Sequence, residues 1–159
     1  MVGAGDSGAL GIIDRLVADP ASLIGPVLSV LLLLFTVGLF IWSISERISW
    51  GEGGASVFMT AIYLIPAFGA VDNQLGLGVF DYLAEAVGFG SSFIGIAVVF
   101  ALVFIVPWIL CAWSLFASLV FANSAFSLLG GFGSQAYRIC YVIYSVIFLV
   151  GIPALMFVL

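Results

Sequence analysis

The stretch Ser22 to Ser45, SLIGPVLSVLLLLFTVGLFIWSIS, decides the fold class. It carries no charge and exceeds the ~20 apolar residues that an α-helix needs to cross a hydrocarbon core. Leu31 to Leu34 lie at its middle. Trp42 and Trp50 mark its far interface beside Glu46 and Arg47, where amphipathic indoles and charges favour the headgroup region. Upstream, Asp19-Pro20 supplies a cap and a proline at the first helical position.

Outward from this helix the chain repeats the same logic. The link Ser49 to Gly54 is short and Gly-rich, so the next helix, Ala55 to Ala70, must return antiparallel, with Pro66 bending it. Ser92 to Asn123 is the longest apolar run; about 30 residues would extend roughly 46 Å, beyond a ~30 Å hydrocarbon core. It must tilt, kink at Pro107 or project past the headgroups. Gly130, Gly131 and Gly133 lie in the following turn, and Gln135 to Leu159 forms a last span. Two further segments are amphipathic. Leu10, Ile13 and Val17 recur at i, i+3 and i+7 with Asp14 and Arg15 off that stripe. Between Val71 and Ser91, Phe80, Leu83, Ala84 and Val87 keep helical spacing among Asp72, Asn73, Asp81 and Glu85. The expectation is an all-α integral membrane protein: one domain, residues 1–159, with four transmembrane helices and two short interfacial amphipathic helices.

Composition agrees. The 159 residues are 65% hydrophobic and 7% charged, where a soluble domain is about 45–50% apolar and about 25% charged. The chain has no His and no Lys, three Arg and eight acids, for a net charge of −5. Phosphate neutralisation needs a basic stripe, so nucleic acid is not an expected partner. Without His, histidine-based catalysis, haem ligation through His and His-containing zinc sites are excluded. Cys111 and Cys140 are isolated in apolar sequence, which indicates neither a disulfide framework nor a CxxC centre. No cofactor, metal or catalytic residue is predicted, since no nucleophile–base pair or phosphate-binding glycine loop is present.

The two halves, 10–70 and 78–159, also match in pattern. Gly11 to Leu16 (GIIDRL) answers Gly78 to Leu83 (GVFDYL), Ser22 to Gly25 answers Ser92 to Gly95, Trp42-Ser43 answers Trp113-Ser114, and Ile65 to Phe68 answers Ile152 to Leu155. A tandem repeat of helical hairpins with parallel orientation would produce these matches. So would low-complexity apolar sequence.

The charges divide by membrane face. Arg15 shares the first face with Asp6, Asp14, Asp19, Asp72, Asp81 and Glu85, whereas Arg47 and Arg138 share the second with Glu46 and Glu52. Positive residues favour the cytoplasmic or matrix side, which puts both termini outside. Arg138 opens the last helix beside Gln135, with Tyr137, Tyr141 and Tyr144 on one stripe. An arginine there snorkels to the interface or contacts lipid, pairs with Glu46 or Glu52, or serves an ion path. Arg47 and Arg138, with Trp50 and Tyr137, form a candidate anionic-lipid site, and Glu46 a candidate ion-pair contact. Ala97 and Ala101 are the candidate helix-packing pair. Thr36, Thr60 and Ser145 are the hydroxyls nearest the helix midpoints, and such groups commonly bond back to their own helix. Pro107-Trp108 and Trp113 mark either a packing kink or a broken-helix site.

Gln135-Ala136-Tyr137 resembles the last helix of rotary ATP synthase stator subunits, but residues 92–123 lack the arginine of that family's preceding helix. The function expected is a non-catalytic accessory subunit of a larger membrane complex, with other membrane subunits and lipids as partners. An energy-transducing assembly, respiratory or ATP-synthesising, in a bacterial or mitochondrial inner membrane is the expected host. The alternatives are a small homo-oligomeric channel or transporter or an ion-translocating subunit using Arg138, and a filament-forming protein whose layout resembles conjugative pilins.

Overall fold

The computed structural model describes residues 20–50, 54–86, 88, 93–120 and 134–158. A 3-10 turn, Pro20–Leu23, runs into α1 (Ile24–Trp50), and α2 (Gly54–Leu75) follows. A short helix, α3 (Val79–Ala86), precedes α4 (Phe93–Phe100), which passes through a π-helical turn (Ala101–Ile105) into α5 (Val106–Val120). The last helix is α6 (Gln135–Phe157). Four helices, α1, α2, the continuous α4–α5 unit and α6, are long and apolar enough to cross a membrane. The expected helix at Leu10 to Val17, the residue Glu52 and the turn 124–133 lie outside the described residues.

The inward face of α1 has a strict period. Gly25, Leu32, Leu39 and Glu46 recur every seven residues, with Ser29, Thr36 and Ser43 every seven between them, and all are buried. Alternating steps of three and four make the seam of a left-handed helix pair, and α2 packs along it. Of these four helices among the described residues α2 has the lowest mean hydropathy, 1.2 against 2.6, 2.5 and 2.3, and the largest buried share. It is therefore the central helix, shielded by the other three.

One boundary differs from expectation. Residues Val71 to Leu75 continue α2 instead of starting an interfacial helix, because Asp72 is buried and works locally. Its carboxylate accepts the backbone N–H groups of Val79 and Phe80, both at 3.0 Å, and so caps α3 across the turn. That turn reverses at Gly76 and Gly78, whose φ values of 62° and 70° lie in the left-handed region open to glycine. Phe80 then packs on Phe68 of α2 at 6.1 Å, which holds α3 across the end of the bundle.

Each interior proline withholds the N–H that would bond four residues back. Pro153 frees the carbonyl of Leu149, and the indole N–H of Trp108 fills the vacancy at 3.0 Å. Trp108 thus replaces a backbone donor. At Pro107 the helix does not break; the π turn precedes it, with Val106 N–H donating five residues back to Ala101. Replacing Trp108 by Phe leaves the Leu149 carbonyl unsatisfied and should destabilise the bundle by about 1 kcal/mol. Adding Pro153→Ala restores the backbone donor, so the cost of Trp108→Phe should shrink in that background. A double-mutant cycle of unfolding in mild detergent measures the coupling; additive effects would contradict the substitution of one donor for the other.

Candidate functional site

Two features of the described residues are candidates for function: a hydroxyl seam inside the bundle and an apolar groove on its flank. The seam begins with the buried hydroxyls of α1. Ser29 and Ser43 donate to the carbonyls of Pro26 and Phe40, at 2.8 and 2.7 Å, and Thr36 donates to Leu32 at 2.7 Å. These bonds satisfy each donor within its own turn, as expected for Ser and Thr in apolar helices. Their oxygens remain free to accept. Thr36 Oγ1 is bonded by Tyr144 of α6, and Ser43 Oγ lies 3.1 Å from Thr60 Oγ1 of α2.

At the centre, three helices meet through three hydroxyls. Tyr63 of α2 lies 2.7 Å from Ser114 of α5 and 3.1 Å from Tyr141 of α6; Tyr141 lies 3.1 Å from Ser114. Each hydroxyl has one proton to give. Ser114 donates to the carbonyl of Cys111 at 2.9 Å, which leaves its oxygen to accept from both tyrosines. Every proton of the cluster is then used. Tyr63 also stacks on Phe148, with ring centroids 4.9 Å apart. Cys111 is fully buried, and its thiol donates to the Ser145 carbonyl at 3.6 Å. The Ser145 hydroxyl is fully buried with no hydrogen-bond partner among the described residues.

Glu46 closes the seam at one end. Its carboxylate accepts from Ser134 N–H at 2.8 Å, Ser134 Oγ at 2.6 Å and Trp42 Nε1 at 2.9 Å. Ser134 in turn is the N-cap of α6, its hydroxyl oxygen accepting from Tyr137 N–H at 3.3 Å. A carboxylate beside a helix N-terminus also meets the positive end of the helix dipole. Trp42 adds an edge-to-face contact with Tyr137 at 5.5 Å.

This end gathers much of the constellation singled out from sequence. The Glu46–Ser134 contact brings the end of α1 to the start of α6, so Arg47 and Arg138 lie at the same end of the bundle. Arg47 is exposed and Arg138 half-buried; Trp50 ends α1, and its side chain lies outside the described residues. Ala97 is exposed and Ala101 half-buried, while Val103, Pro107, Cys111 and Ser114 form the buried stripe of that span. This span packs against α2 and α6. The seven-residue rhythm of Ser29, Thr36 and Ser43 and the pairing of Tyr63 with Ser114 were not anticipated. The first was visible as a spacing; the second required the fold.

The groove lies between α1 and α6 and encloses about 780 Å³. Leu31, Leu34 and Phe35 wall it on one side and Ile143 and Ile147 on the other. Gly38 and Gly151 line it, and a Cβ on either would meet nothing within 4 Å. Arg138, two residues before the lining residue Cys140, lies on the opposite side of α6 by helical periodicity. Comparison with family models, with curated proteins and with solved structures returned no match.

Replacing Glu46 by Gln places an NH₂ donor among three donors. It should destabilise the fold by about 1–3 kcal/mol, nearly as much as Glu46→Ala. Thermal unfolding in detergent reads this, and a neutral Glu46→Gln would remove the carboxylate from its role as the acceptor that joins α1 to α6.

Proposed function

We propose that this chain is a non-catalytic structural subunit of a larger multi-subunit membrane complex. The observation that carries the reading is the division of chemistry between inside and outside. Hydroxyls and a carboxylate bond one helix to another within the bundle, while the outward faces of α1, α5 and α6 present large apolar side chains such as Phe35, Ile41, Ile109 and Ile147. In a bilayer such faces are at home against lipid or against another transmembrane helix, where close packing supplies the attraction.

The α1–α6 groove favours a helix as neighbour. From Leu28 to Trp42 its α1 wall extends about 21 Å at the helical rise, more than half of a ~30 Å hydrocarbon core. An acyl chain anchored in one leaflet reaches about the midplane, whereas a neighbouring transmembrane helix runs the whole length. Glycines at Gly38 and Gly151 leave room for its side chains. The inner membrane of a bacterium or mitochondrion is the compartment that a Lys-free chain with only 7% charged residues fits best.

Native mass spectrometry after extraction in mild detergent tests the reading. Co-purification with several different subunits is expected, and it should be lost in Gly38→Leu and Gly151→Leu, which fill open space without disturbing the seam. Recovery of bound lipid alone, or of a homo-oligomer alone, would overturn it. A homo-oligomeric channel or transporter is the second reading, favoured by the row of buried hydroxyls and by the buried Ser145 hydroxyl, which has no partner among the described residues. Ion or solute flux in liposomes containing the purified chain would then carry the function.

A further inference from the structure

Three of the four spanning helices lose a backbone hydrogen bond at nearly one level. Trp108, next to Pro107, bonds Leu149, one turn before Pro153. Gly69, three residues beyond Pro66, faces Val103 and Phe104 of the π turn; a Cβ there would come within 2.8 Å of the Phe104 ring. Pro66, the π turn with Pro107, and Pro153 therefore fall within about one helical turn of a common plane, some 5 Å. The proline of α1, Pro26, sits in its first turn, where no bond is lost.

The plane separates two kinds of packing. On the Glu46 side, α1, α2, α5 and α6 are joined by the hydroxyl contacts of Thr36, Ser43, Tyr63, Ser114 and Tyr141 and by Glu46 with Ser134. On the other side, ring contacts such as Phe100 with Phe157 at 6.3 Å replace them. The polar contact of the last turn of α6 is there made by one flexible side chain, beside the buried Leu155 and the ring of Phe157: Gln74 Nε2 of α2 donates to the carbonyl of Leu155 at 2.6 Å. The oxygen end of the same amide lies against Gly25 of α1, in the space that a Cβ at Gly25 would occupy. One amide thus spans the ends of three helices. Ala154 and Leu155, in that last turn, also line the groove opposite α1.

We propose that residues Pro153–Phe157 form a gate on the α1–α6 groove, pivoting at Pro153 and latched shut by Gln74. The structure shows the latched state. In the open state the Gln74–Leu155 bond is broken and the gate moves away from Leu28 and Leu31, widening that end of the groove. The proline supplies the pivot because its turn of helix lacks the N–H bond to Leu149, which Trp108 replaces from outside the helix. Gly25 allows the latch to close. The gate does not depend on what occupies the groove.

Pulsed electron–electron spin resonance on the full chain in lipid nanodiscs tests this, with Cys140 replaced by Ala and Cys111 left buried. Labels at Ile24 and Val158, both exposed, report the gate. Labels at Ile48 and Ile139, also exposed, report the hydroxyl-bonded end. The reference pair should give one narrow distance and the gate pair a second, longer population. Gln74→Leu should raise the ratio of long to short distances about threefold, the equivalent of the ~0.6 kcal/mol typical of an interhelical hydrogen bond in a bilayer. Pro153→Ala should lower it. Should Gln74→Leu disturb the reference pair, Pro153→Ala alone decides. A gate pair as narrow as the reference pair, or one that Pro153→Ala leaves unchanged, overturns the proposal.

Discussion

A hydroxyl carried into an apolar bundle must find its partner there, since no water competes for it and an unmet donor costs several times what a met one gains. Tyr63 imposes that constraint on these helices. It projects from α2, the least hydropathic and most buried span, and its proton is accommodated where Ser114 and Tyr141 converge from two other helices. Ser43 and Thr36 extend the same arrangement to α1. A shift of any helix by one residue would separate these oxygens. Apolar contacts alone would tolerate such a slip, so the hydroxyls set the register while the leucines and aromatics fill the volume.

The prolines obey the same constraint from the opposite direction. Each leaves an acceptor without its usual donor, and the bundle answers at Pro153 with a side chain, Trp108, and at Pro107 with a wider turn. The wider turn is local to its helix, but the answer at Pro153 is not. Trp108 reaches Leu149 only if α5 and α6 are already side by side, so the proline ties the integrity of one helix to the position of another.

How much of this was legible follows from how local each interaction is. The spans at Ile24–Trp50 and Gln135–Phe157 are evident from uninterrupted apolar sequence, and the stripe of Tyr137, Tyr141 and Tyr144 is evident from its spacing. Asp72 misled the boundary of α2, because an acid near the end of an apolar run reads as the start of a solvated segment. Its carboxylate instead serves backbone N–H groups seven and eight residues on, across a turn. Glu46 was legible as a polar contact of the last helix, but its partner is the N-cap Ser134, 88 residues away. Pairings at such separations, like Tyr63 with Tyr141 or Trp108 with Leu149, have no periodic signature. They exist only once the helices are packed.

Hydroxyls and prolines together divide the helices. The helix α1 has no interior proline beyond its first turn and meets α2, which carries Pro66, along a seven-residue seam. The α4–α5 unit and α6 carry the π turn and Pro153, and hydroxyls join them to that pair on one side of the proline plane. The groove lies between α1, which has no proline beyond its first turn, and α6, which carries Pro153. Leu31, Phe35 and Gly38 line one wall, and Ile147, Gly151 and Ala154 the other. The polar interior is thereby linked to the apolar exterior: the contacts that hold Tyr63 against Ser114 and Tyr141 also hold α6, one wall of the groove, on the Glu46 side of Pro153.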